Sequence, residues 1–201
     1  MPETAHGALS QTRALQAAED GSQSGVRLSR IVLTGFMGAG KSTIGPLLAR
    51  SLAWRFVDAD SEIETATGAT IAQLFAERGE PWFRQFEHEA IHHLVSIAFS
   101  ADPLVVALGG GAIEDERTRR LLRDSETTRL VHLEASFDTV LKRCQGTKNV
   151  RPVLQDQANL ENRYHQRLPL YRQSHLTIAV DTLGPNAVVQ KILEGFSAQL
   201  R

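Results

Sequence analysis

Cysteine is nearly absent: Cys144 is the only one in 201 residues. No intrachain disulfide can form and no cysteine-built zinc site is available, which suits a reducing, cytoplasmic compartment. Neither charge is in excess, since 22 Lys and Arg stand against 23 Asp and Glu, a formal net charge of −1. That argues against a broad electrostatic footprint for nucleic acid, while leaving room for a local basic pocket. No apolar stretch approaches membrane-spanning length, and the N-terminus lacks the hydrophobic segment of a signal peptide. The Asn-Lys-x-Asp that reads guanine in GTPases is missing as well. What remains, 42% hydrophobic and 22% charged residues, suffices for one α/β domain with a sizeable core.

Residues 1–29 are rich in Ala, Gln, Ser and Gly with scattered charges, the composition of a flexible extension. The domain itself is expected over residues 30–201. Its most informative stretch is Gly35-Phe36-Met37-Gly38-Ala39-Gly40-Lys41-Ser42-Thr43, which holds the Gly, four residues, Gly-Lys-Ser pattern of a phosphate-binding loop. Ile31-Val32-Leu33-Thr34 before it reads as a buried strand. Ile44, Leu47, Leu48 and Leu52 after it repeat at helical spacing. Gly35, Gly38 and Gly40 allow left-handed dihedrals and close approach of backbone N–H groups to a polyphosphate. The helix start adds the positive end of its dipole. Lys41 brings charge to the β- and γ-phosphates, and Ser42 offers a hard oxygen to Mg²⁺.

Beyond this loop, strand-like and helix-like stretches alternate, which predicts a parallel sheet flanked by helices. Phe56 to Asp60 reads as a second strand ending in two acids, with Ser61 capping the next helix. Thr70 opens a helix carrying Ile71, Leu74 and Phe75, and Pro81 begins one with Phe83, Phe86, Ala90, Leu94 and Ile97 along one side. Leu104 to Leu108 is a central strand running into Gly109-Gly110-Gly111, and a charged helix follows around Glu114 to Arg123. Leu130 to Leu133 and Leu176 to Val180 are further strands, and Pro185 starts the last helix. Periodicity vanishes over residues 144–157, a polar loop long enough to serve as a mobile lid.

The polar residues admit two readings each. Asp58 and Asp60, at i and i+2, would point to one face of a strand; they would handle metal and acceptor hydroxyl, or be solvated acids of which one caps a helix. Arg84 and Glu87 form either a surface ion pair or a clamp in which Glu87 orients a carboxylate-binding guanidinium. Phe75, Trp82 and Phe83 either line an apolar ring or belong to the core. Gly109 to Gly111 make a tight exit turn or let amides approach a ligand. Arg151 is solvated, or closes over the γ-phosphate as an arginine finger does. Arg167, on spacing alone, is a helix-surface charge.

In order along the chain stand the phosphate loop, Asp58-x-Asp60, Phe83-Arg84-x-x-Glu87, Gly109-Gly110-Gly111, Arg151-Pro152-x-Leu154 and Arg167-x-Pro169-x-Tyr171. Over Ile31 to about Phe196 this set resembles the shikimate kinase family. The resemblance implies a single P-loop kinase domain with a five-stranded parallel sheet, phosphorylating the 3-hydroxyl of shikimate with Mg-ATP to give shikimate 3-phosphate and ADP. It implies that Gly38, Ala39, Gly40, Lys41, Ser42, Thr43 and Arg151 hold the phosphates, and that Ser42 and Asp58 serve Mg²⁺. Asp60 would be the general base. Arg84 and Arg167 would clamp the shikimate carboxylate, with Glu87 orienting Arg84. Gly109, Gly110 and Gly111 would meet the ring hydroxyls, and Phe75 and Phe83 would pack beside the ring. Arg143 would cover adenine, with Leu183-Gly184-Pro185 on its other face, and the protein would be monomeric. Two departures stand out: the lid looks about one residue longer, and Leu183 replaces a commonly polar residue. The alternatives are a related gluconate-type kinase and a nucleotide-binding module without catalysis.

Overall fold

A computed structural model describes residues 27–96, 102–145 and 157–200. Among them, five strands form one sheet in the order β2-β3-β1-β4-β5, and every pairing is parallel. The strands are β1 (Arg30–Thr34), β2 (Arg55–Asp58), β3 (Leu104–Ala107), β4 (Thr128–Glu134) and β5 (Leu176–Ala179). The helices are α1 (Lys41–Leu52), α2 (Ala59–Thr67), α3 (Ile71–Arg78), α4 (Glu80–Val95), α5 (Glu116–Arg123), α6 (Phe137–Gln145), α7 (Gln157–Tyr171) and α8 (Pro185–Gly195). All of β1 and β3 is buried, as apolar runs covered by helices on both faces should be. With β3 and β4 on either side of β1, the chain leaves β1 at the point where strand order reverses, which is where open α/β sheets bind ligands.

The buried start of β1 carries a charge. Arg30 is inaccessible to solvent, and its guanidinium donates to the carbonyls of Leu94, Ser29, Asp102 and Ser96 at 2.9 to 3.4 Å. The first and last of these carbonyls lie at the C-terminal end of α4, where a cation complements the helix dipole.

Several expected element ends hold. Thr70 and Gln73 form a reciprocal capping box on α3, and prolines open α4 and α8. Two do not. The second strand stops at Asp58, and α2 starts at Ala59, because Asp58 rather than Ser61 is the cap: its Oδ1 accepts from the amides of Asp60 and Ser61. Asp58 and Asp60 therefore do not share a strand face; one ends a strand and the other sits in the first helical turn. On α4 the buried stripe is Phe83, Glu87, Ile91 and Leu94, with Phe86 and Ala90 only partly covered. The residues expected to form the lid lie mostly outside the described residues, as do residues 1–26 and Ile97.

Candidate active site

The phosphate loop bends between β1 and α1 through three glycines of positive φ: Gly35 at 144°, Gly38 at 74° and Gly40 at 104°. Gly35 is also confined, since a Cβ there would sit 2.6 Å from the Leu133 carbonyl oxygen. α1 starts without a side-chain cap, so its first amides remain for an anion. Lys41 Nζ donates to the carbonyls of Gly35 and Phe36 at 2.7 and 3.2 Å, which holds the ammonium across the loop.

A cleft of about 530 Å³ opens over this loop. Gly38 to Thr43 line it together with Asp58, Asp60, Gly109, Gly110 and Arg143. Ser42 Oγ donates to Asp58 Oδ2 at 3.4 Å; the other oxygen of Asp58 is the one that caps α2. Asp58 is thus a cap and a cleft acid at once. Two hard oxygens side by side suit a divalent cation whose remaining ligands are phosphate oxygens and water. Among the described residues, no cluster of three His, Cys, Asp or Glu side chains offers a fuller cage.

Val180, just after β5, and Leu183, Pro185 and Val188 at the turn into α8 also line the cleft. Arg143 Nη1 donates to the Gly38 carbonyl at 3.1 Å and Nη2 to the Val180 carbonyl at 3.3 Å. Leu183 and Pro185 line the same space, so a planar cation and apolar side chains share this part of the cleft.

A second group flanks the cleft. Glu87 is 3% exposed and accepts from Arg84 Nη1 at 2.7 Å. Burial raises its pKa, and the Arg84 guanidinium offsets this only in part. Arg84 stands 5.6 Å over the rings of both Phe75 and Phe83, which pack on each other with centroids 4.5 Å apart. Trp82 is not part of this wall. It is the exposed large hydrophobic residue among the described residues, stacked on Phe86.

The glycine triplet joins the two groups. None of Gly109, Gly110 and Gly111 has a positive φ; the need is for space. A Cβ on Gly109 would lie 2.5 Å from Asp60 Oδ1 and 3.1 Å from Glu87 Oε1, and one on Gly111 would overlap the Arg84 guanidinium. The Gly110 carbonyl accepts from the Tyr171 hydroxyl at 2.5 Å.

Arg167 is buried rather than at the helix surface, with its guanidinium 5.9 Å over the ring of Phe36. Its Nη2 donates to Glu114 Oε2 at 2.8 Å, and the same oxygen lies 3.5 Å from Arg84 Nη2. Glu114 and His132 are the site residues that sequence reasoning missed. Glu114 ends a 3₁₀ turn, Ala112–Glu114, where a charged helix was expected. His132, on β4, is 2% exposed and stacks on Tyr171 at 5.1 Å. Burial pushes its pKa down to about 4, with Arg172 and Lys41 adding to the shift and Glu134 opposing it. It is therefore a neutral plate beneath the site. Arg151 lies outside the described residues.

The Shikimate kinase family model matches residues 37–197. A shikimate kinase of Chromohalobacter salexigens is 42% identical over 171 residues, 83% of this chain and 91% of that protein. One of Persephonella marina is 35% identical over 167 residues, 83% of this chain and 98% of that protein. Among solved structures, a shikimate kinase from Acinetobacter baumannii in complex with shikimate superposes with a TM-score of 0.75 at 36% identity, covering 85% of this chain and 94% of that one. A gluconokinase from Sinorhizobium meliloti, at 20% identity and a TM-score of 0.58, shares the fold alone. The family model spans the phosphate loop from Met37 on, the triplet and both arginines, and on that ground the chain belongs to the shikimate kinase family.

Proposed function

We infer that this chain carries out its family's reaction, transferring the γ-phosphoryl group of ATP to the 3-hydroxyl of shikimate and releasing ADP. The observation that carries the reading is a single cleft shared by a phosphate loop and Asp60, in a chain of this family. Phosphoryl transfer asks little covalent chemistry of a protein; positioning and charge supply most of the rate.

We assign the roles that the resemblance implies, and the placement of the described residues supports them. The first amides of α1 and Lys41 hold the phosphates. Ser42 and Asp58 would hold Mg²⁺, which when bound neutralises charge between the β- and γ-phosphates. Asp60 accepts the proton of the acceptor hydroxyl as its oxygen bonds to phosphorus and the bond to the ADP oxygen breaks. Arg84 and Arg167 grip the acceptor carboxylate, Glu87 keeps Arg84 in place, and Phe75 and Phe83 pack near the ring. The amides of Gly110 and Gly111 serve the ring hydroxyls. Arg143 and the Leu183–Pro185 turn enclose the base. Arg151, from a lid at about 144–157, adds charge over the transferring group and excludes water. We further propose a monomeric, cytoplasmic protein whose domain begins near residue 30, with residues 1–29 as a flexible extension.

The test is ADP release by the purified protein with Mg-ATP, with and without shikimate, followed in a coupled spectrophotometric assay. Release that depends on shikimate and is not reproduced by gluconate supports the reading. ATP binding without any response to shikimate would end the acceptor assignment and leave the phosphate loop standing.

A further inference from the structure

Glu114 has no part in the roles above, yet it sits between the two arginines assigned to the acceptor. One of its oxygens, Oε2, is 2.8 Å from Arg167 Nη2 and 3.5 Å from Arg84 Nη2. The arginines come from different helices, α7 and α4, and are fixed unequally. Arg84 has Glu87 and Glu80 as further partners. Arg167 is buried, and its Nε has no acceptor among the described residues. The Glu114 side chain is 36% exposed and stands on a one-turn 3₁₀ segment just after Gly111, so it can swing outward while the guanidiniums stay. Its carboxyl is held below the usual range: burial works the other way, but the hydrogen bond from Arg167 and the charges of Arg167, Arg84 and Arg163 outweigh it.

We propose that Glu114 is an internal stand-in for the acceptor's carboxylate, occupying the bridge between Arg84 and Arg167 until the acceptor displaces it. The inference rests on the reading of those two arginines as the carboxylate clamp. Two neighbouring cations in a partly buried pocket require a counter-charge. Glu114 meets both with a single oxygen, one contact being long. A free carboxylate can set one oxygen on each guanidinium, in the charge-assisted geometry that arginine favours. The acceptor therefore wins the exchange, but its apparent affinity is lowered by the fraction of molecules in which Glu114 holds the clamp. Weak anions, which gain less, are kept out. The device trades acceptor affinity for selectivity.

Calorimetric titration of shikimate into the nucleotide-free protein tests this, comparing the unaltered chain with Glu114→Gln, Glu114→Ala and Arg84→Ala at low and high chloride. Both Glu114 variants should bind shikimate about 3- to 10-fold more tightly at low chloride, the range of a half-exposed ion pair. The gain should shrink at high chloride, which takes over the empty bridge. A residue that merely steadied Arg167 would give weaker binding on removal, and an inert rim residue would give none of the chloride effect; either result overturns the proposal. Arg84→Ala separates this from the functional reading: if it abolishes binding while the Glu114 variants match the unaltered chain, the clamp stands and the stand-in falls. If the unaltered chain itself binds no shikimate, both fall.

Discussion

Arg84 and Glu87 meet at 2.7 Å across one turn of α4, with the acid almost wholly buried and the base partly exposed. Such a pair is asymmetric. Removing the base strands a carboxylate in the core, and removing the acid frees a guanidinium that water can still reach.

Arg84→Met should therefore do two separable things. Shikimate KM should rise by an order of magnitude or more, with a smaller change in kcat, because the clamp loses one arm. Stability should fall by about 3 kcal/mol at neutral pH, the lower end for breaking a buried pair. Glu87 is already pushed up by burial, and without Arg84 it rises further. A carboxyl raised in the folded state costs nothing below its unfolded pKa and costs more as pH climbs through the folded one. The loss of Tm should thus shrink at pH 5. Adding Glu87→Gln should restore Tm and leave the shikimate KM high.

The glycine triplet offers a steric version of the same test. Gly109→Ala would push on Asp60 and Glu87, and Gly111→Ala on Arg84. Neither backbone is left-handed, so no dihedral strain enters. Gly109→Ala should lower kcat, and Gly111→Ala should mainly raise the shikimate KM, each by about 10- to 100-fold, the cost of roughly an ångström of misplacement. Steady-state kinetics on both variants read this out; equal KM effects would show that the two glycines do not divide the work.

Asp60 is argued on chemistry. Asp60→Asn keeps size and helix position and removes the basic oxygen. kcat should fall about 10²- to 10⁴-fold, the usual worth of a positioned general base, with shikimate binding changed little. A calorimetric Kd that weakened in step with kcat would instead make Asp60 a binding residue.

What was legible in the sequence was mostly local. The phosphate loop could be read because its glycines, lysine and flanking elements are contiguous and their backbone geometry follows from residue type. The central strand Leu104 to Leu108 declared itself by an unbroken apolar run. The cap of the helix after Asp58 was misplaced by three residues because three polar side chains close together, at 58, 60 and 61, all make acceptable caps, and only the strand's end decides among them. Arg167 looked like a surface charge because nothing in α7 announces that the Phe36 ring and the Glu114 carboxylate, both far away in sequence, will meet it. Glu114 was invisible for the same reason: its partners are 30 and 53 residues away, and no spacing rule links them.

His132 supplies a prediction about acid stability. Its Nδ1 is buried without a hydrogen bond among the described residues, and Glu134 lies too far, at 3.8 Å, to provide one. The pKa of about 4 is below the ordinary histidine value, so below about pH 6.5 the unfolded chain takes up a proton that the folded chain refuses. Folding stability from this residue is therefore full above pH 6.5 and drains away as pH falls toward 4, by of order 2–3 kcal/mol. His132→Phe would keep an aromatic plate against Tyr171 and remove the titration. Its urea-unfolding free energy should match that of the unaltered chain near pH 7.5 to within about 1 kcal/mol and exceed it by the larger amount near pH 4.5. Parallel curves for the two proteins across that range would mean that His132 is protonated in the folded state, with Glu134 drawn in to pair with it.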